Sequence, residues 1–118
     1  MSSGFHEQHL SQAAQDQHRA LASLQEELEA VDWYNQRADV AEDAEVTKVL
    51  QHNMYEEIEH ACMLLEWLRR NMPGFDENLN TYLFKSEPIT EIEEAETGEG
   101  GSGNSAAGDG SLGLGALK

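Results

Sequence analysis

The sequence predicts an all-α fold: an antiparallel two-helix hairpin with a short C-terminal helix, which pairs with a second copy into a four-helix bundle. Three observations predict it. First, Leu10, Ala14, Gln17, Leu21, Leu24, Leu28 and Val31 step alternately by four and three, a seam repeat suited to helix–helix packing. Second, another periodic stretch runs from about Asp43 to Arg70, and Pro73-Gly74 stops it. Third, of 118 residues only 1–96 have a composition that builds a core. That is small for an independent domain, so self-association is expected before any motif is read.

The elements follow in order. Residues 1–8 read as a loose start, and the first helix should run from Leu10 to Ala38 with no Gly or Pro inside it. DVAED makes a short connection. Asp39 or Asp43 is the candidate cap for the second helix, Asp39 with Glu42 fitting a loose capping box. Arg69 and Arg70 suit that helix's negative C-terminal end. A connection this short sets the two helices antiparallel. DENLNTYLF predicts a third, shorter helix capped by Asp76 and broken by Pro88, and ITEIEEAE is an acidic piece to which the pattern assigns no structure. TGEGGSGNSAAGDG, residues 97–110, is a Gly/Ser-rich linker, and SLGLGALK, residues 111–118, brings back large apolar side chains at Leu112, Leu114 and Leu117.

Charge narrows the function classes. There are 23 acidic against 7 basic residues, a net charge of −16. Such a surface repels nucleic acid and has no attraction for an anionic membrane, but it concentrates cations. The single cysteine, Cys62, excludes an intrachain disulfide and a CxxC motif. The opening MSSGFHEQHLSQ has neither the basic nor the apolar region of a secretory signal. No stretch approaches the roughly 20 apolar residues of a membrane span. A cytoplasmic location is therefore expected.

One stretch of the second helix, YEEIEHACMLLEW, breaks the oily pattern. Leu50, Met54, Ile58, Ala61, Leu64, Leu65 and Leu68 form an apolar stripe, and Glu57 falls inside it, about 20° from Leu50 on the helical wheel. His60 stands at the stripe's edge. A carboxylate in such a place needs a partner or a metal. Glu and His three apart project from one side and can share one ion. A lone Glu-x-x-His is weakly specific. The first helix strengthens it: in EELEAVDWY, Glu27 flanks the seam and Tyr34 lies seven residues on along the same row. Carboxylates with an imidazole and open positions suit iron, manganese or zinc. Ferritin-like bundles use one Glu from each of two helices and Glu-x-x-His from each of the other two. This chain supplies half of that set, so the centre is expected on a two-fold axis between two chains. On the other face, Glu26, Glu29 and Trp33 group at i, i+3 and i+7, fitting a protein interface or a staging point for incoming cations.

At these residues the chain resembles the encapsulated ferritins, the ferritin-like cargo of encapsulin nanocompartments. The resemblance covers most of residues 10–90 and is carried by EELEAVDWYNQR, EEIEHACMLLEWLRRN, TYLF followed by EPIT, and DGSLGLGALK. It implies a ferritin-like four-helix unit made by dimerisation, with the pairs assembled into a decameric ring. It implies that Glu27, Glu57 and His60 of both chains hold two irons, with Tyr34 beside the centre. Glu26, Glu29 and Trp33 would be the site through which metal enters. Residues 111–118 would be the cargo-loading peptide that docks on the shell protein. The implied activity is that of a ferroxidase, an oxidoreductase converting Fe(II) to Fe(III) for mineralisation and storage inside the shell. The competing readings are a non-enzymatic acidic helical adaptor with a structural metal, and a di-metal enzyme whose main substrate is peroxide.

Overall fold

A computed structural model describes residues 4–99. It comprises α1 (Gln12–Val40), α2 (Ala44–Asn71), α3 (Phe75–Tyr82), α4 (Ile89–Glu94) and one π-helical turn, Ala95–Glu99. There is no strand among the described residues. The predicted terminal peptide, 111–118, and the linker beyond residue 99 lie outside them.

Local chemistry explains where the long helices start and stop. The Ser11 hydroxyl accepts from the Ala14 N–H at 3.1 Å and caps α1. Asp43, not Asp39, caps α2: its carboxylate accepts from the Val46 N–H at 3.0 Å, while Asp39 lies inside α1. Asp43 also puts negative charge at the positive end of the helix dipole. Only Ala41, Glu42 and Asp43 separate the helices, so α2 returns along α1. The Gln17 side chain near the start of α1 donates to the Asn71 carbonyl at the end of α2, at 2.9 Å.

The interface is one row on each helix. On α1 the buried and half-buried residues include Gln17, Ala20, Leu24, Glu27, Val31, Tyr34 and Ala38; on α2 they include Thr47, Leu50, Met54, Glu57, Ala61, Leu64 and Leu68. Both rows step by three and four, the 3.5-residue repeat of paired helices. Two members of the predicted stripes leave them. Leu28 is 54% exposed and Ile58 is also exposed. From Leu24 the row steps by three to Glu27 instead of by four to Leu28. Glu27 thus belongs to the seam and does not merely flank it.

The fully buried core is thin. Among the described residues the buried apolar side chains are Ala20, Ala22, Ala61 and Leu68, whereas Leu28, Val46, Val49, Tyr55, Ile58, Met63 and Trp67 are exposed. A hairpin has one interface, and the apolar side chains on the other faces of the helices are left exposed among the described residues. No helix among the described residues is long and apolar enough to cross a membrane.

Two compact units can be distinguished, ending at Asp76 and beginning at Glu77. In the first, Arg69 clamps Glu66 through two hydrogen bonds of 2.8 Å, and Arg70 adds a third at 2.7 Å. Arg69 also pairs with Asp76. Asp76 is therefore inside the first turn of α3 and bound to α2; it is not the predicted cap. Gly74 precedes this helix with φ +99°, a left-handed conformation that suits glycine. In the second unit, α3 ends two residues before expected. Phe84 takes the left-handed conformation common just past a helix end, with φ 60° and its ring fully exposed. The acidic piece after Pro88 forms α4, which the periodicity had not assigned.

The arginines hold the Glu66 carboxyl at about 2, hydrogen bonding from Arg69 contributing most and that from Arg70 next. A folded-state value below the unfolded one favours the folded chain above about pH 4.5 and loses that contribution as pH falls toward 2. Acid unfolding followed by circular dichroism should therefore show a shallower pH dependence in Glu66→Gln than in the parent between those limits. Equal slopes would show that the clamp does not form in solution.

Candidate metal centre

Glu27, Glu57 and His60 converge where the two rows cross. Each offers one ligand atom, and these atoms lie within 4.8 Å of one another. Among the described residues no other set of three or more His, Cys, Asp or Glu side chains does this. α1 contributes Glu27 because its row steps onto it. α2 contributes Glu57 from the facing row, and one turn on brings His60 to the same side.

The geometry is that of carboxylates around an imidazole. His60 Nδ1 lies 3.2 Å from Glu57 Oε1 and 3.5 Å from Glu27 Oε1. The Glu27 and Glu57 side chains are 25% and 26% exposed, and His60 is 42% exposed. Glu27 Oε1 is itself buried and has no hydrogen-bond partner. An orphaned buried acceptor is costly and uncommon. Here it stands beside a second carboxylate and an imidazole, a donor set that suits a cation.

The same closeness distorts the protonation equilibria. Glu27 is raised from the ordinary carboxylate value, first by the neighbouring Glu57 carboxyl and then by burial. Glu57 is lowered, chiefly by its closeness to Glu27. His60 is raised, chiefly by hydrogen bonding to Glu57 and with help from the charges of both carboxylates. A metal bound here would displace protons from the cluster, since ligation needs both carboxylates ionised and the imidazole neutral.

The remaining candidate residues are placed differently. Tyr34 is half-buried in the same α1 row as Glu27, and the Arg37 guanidinium sits 5.4 Å from its ring centre. Arg37 lies 5.8 Å from the Trp33 ring as well, a double cation–π contact. Glu26, Glu29 and Trp33 are exposed, and the two carboxylates stand outside the three-residue cluster. Trp33 is bordered by a cation: with Gln36 and Arg37 it lines a shallow cavity of about 200 Å³. Sequence reasoning passed over Arg37, although its i+3 and i+4 spacing from the two rings was visible. It also passed over Glu56, whose carboxylate lies 3.9 Å from His60 Nε2.

Donor chemistry fits iron. Carboxylate oxygen and imidazole nitrogen suit Fe(II), Mn(II) and Zn(II), with no thiolate to favour softer ions. Three protein groups leave coordination positions open, and the cluster lies partly open to solvent.

Comparison with known proteins gives the family. The sequence model of the EncFtn-like family matches residues 4–86. The chain is 55% identical over 115 residues to an encapsulated ferritin-like protein of Rhodospirillum rubrum, covering 92% of this chain and 82% of that one. It is 65% identical over 80 residues to a ferritin-like protein of Thermotoga maritima, covering 68% of this chain and 70% of the other. The crystal structure of protein ne0167 from Nitrosomonas europaea matches with a TM-score of 0.70 and 55% identity, covering 73% of this chain and 97% of that one. With a family match across most of the helical region, and a relative 55% identical over nearly its whole length, the chain belongs to the EncFtn-like family of encapsulated ferritin-like proteins.

Proposed function

We propose that the protein is a ferroxidase whose di-iron site is shared between two chains, and that it feeds iron mineralisation inside an encapsulin shell. The observation that carries this reading is the convergence of Glu27, Glu57 and His60, with the buried Glu27 Oε1 lacking a hydrogen bond. One chain gives two carboxylates and one imidazole, half the set of a ferritin-like centre. A second copy related by a two-fold axis supplies the other half. The exposed Leu28 and Ile58 next to the ligand rows support such a pairing, because a second hairpin would cover them.

Fe(II) is the substrate. Ionised carboxylates are hard donors that favour Fe(III) over Fe(II), so the ligand set itself promotes oxidation. Two irons each lose one electron, and one dioxygen takes both electrons with two protons to give hydrogen peroxide. Glu27, Glu57 and His60 hold the ions at adjacent positions, so the two electrons leave together. Tyr34 borders the centre, and Glu26, Glu29 and Trp33 receive ions from solvent. The net charge of −16 raises the local Fe(II) concentration.

Adding Fe(II) to the protein in air and following ferric absorbance tests the activity. Catalysed oxidation above the protein-free rate supports it. A stoichiometric metal that binds without turnover would favour the structural-metal adaptor. Oxidation seen only with added peroxide would favour the peroxide-consuming enzyme.

Residues 111–118 are the proposed shell-docking peptide. Tethered by the 97–110 linker, a weak apolar peptide gains avidity when many copies belong to one assembly. Removing 111–118 should abolish co-purification with a co-expressed encapsulin shell while leaving the rate of Fe(II) oxidation unchanged. Normal loading of the truncated chain would refute the assignment.

A further inference from the structure

The second ring nitrogen of His60 also faces a carboxylate. Nδ1 looks toward Glu57 and Glu27, at 3.2 and 3.5 Å. Nε2 lies 3.9 Å from Glu56 Oε1, an ion-pair distance longer than a hydrogen bond. The other Glu56 oxygen, Oε2, lies 3.9 Å from His52 Nε2. His52, Glu56 and His60 thus follow one another at i, i+4 and i+8 along the outer side of α2. Glu27, Glu57 and Glu56 are the acidic groups against the His60 ring, two on one nitrogen and one on the other.

We infer that Glu56 is a positioning residue for the metal centre. It orients His60 so that Nδ1 is the ligating atom and Nε2 carries the proton. This rests on the reading of Glu27, Glu57 and His60 as the Fe(II)-binding set. A neutral imidazole has one lone pair to give, and the nitrogen that gives it is decided by where the other nitrogen's hydrogen is best accommodated. A carboxylate beyond Nε2 favours that hydrogen there. His60 is partly exposed; Glu57 and Glu27 face its ring on the seam side, and Glu56 faces it on the outer side. Glu56 stands outside the three-residue cluster.

The effect is separable from the centre's existence by using Zn(II) in place of a redox metal. Full-length Glu57→Ala should lose the bound Zn(II). Glu56→Ala should keep the wild-type stoichiometry and bind about 10-fold more weakly, the lower end of what outer partners of a ligating His contribute. Glu56→Gln, which keeps an acceptor oxygen without the charge, should recover part of the loss. In the Zn(II) form, 15N–1H correlation of the His60 ring should show metal at Nδ1 and a proton at Nε2, the latter exchanging faster with solvent in Glu56→Ala. Helix content should be the same in all variants. If Glu57→Ala loses Zn(II) but Glu56→Ala binds it with wild-type affinity, or if the metal sits on Nε2, the positioning role is refuted while the centre stands. If Glu57→Ala retains Zn(II) normally, the centre itself is misassigned and the role of Glu56 falls with it.

Discussion

Glu27→Ala, Glu57→Ala and His60→Ala are each expected to slow Fe(II) oxidation by about 100-fold or more, since even outer partners of a metal ligand contribute 10- to 100-fold. The reason is geometric. Among the described residues each chain brings three such groups within 4.8 Å, and losing one leaves too few donors to keep two irons adjacent. The three substitutions should not be additive, because the groups act as a unit. Stopped-flow absorbance at equal protein and iron concentrations gives the rates. A set of variants that all oxidise iron as the parent does would remove the assignment. Glu27→Leu adds a further contrast. It puts an apolar side chain where a buried carboxylate oxygen without a hydrogen bond now sits in the helix seam. The metal-free chain should then melt a few degrees higher than the parent even as oxidation is lost. A variant that is both inactive and less stable would indicate that the carboxylate serves packing and not metal.

The second large effect concerns association. A metal held jointly by two chains binds the pair and not the separate hairpins, so it pulls the equilibrium toward the pair. Metal at 100 times its dissociation constant stabilises the bound state by about 2.7 kcal/mol per site, which is about 100-fold in the apparent association constant. Native mass spectrometry across an Fe(II) or Zn(II) titration should show paired and larger species growing at the monomer's expense. The Glu57→Ala chain should show no such growth. An unchanged distribution across the metal range would mean that the centre is completed within one chain.

Much of the fold could be read from local chemistry. The α1 and α2 boundaries fall within two residues of those expected, because cap residues, arginines and Pro73-Gly74 act over one turn and need no knowledge of the rest. Asp76 and Phe84 were harder. Asp76 has the composition of a cap, yet Arg69 seven residues earlier takes its carboxylate, and Phe84 adopts a conformation that its residue type does not suggest. α4 was not legible at all, since a six-residue acidic helix has no apolar period to detect.

The amino-acid order alone determined the helical hairpin, its antiparallel course and the candidacy of Glu27, Glu57 and His60, because periodicity and i, i+3 spacing are properties of a single helix. Only the tertiary structure decided that Glu27 stands within the seam and Leu28 outside it, that one carboxylate oxygen is left buried without a hydrogen bond, and that Glu56 and Arg37 approach His60 and Tyr34. A wheel offers the steps to 27 and 28 as near equals, and hydrophobicity favours the leucine. The rotation of one helix against its neighbour chooses between them, and that rotation is set by the packing of both rows together.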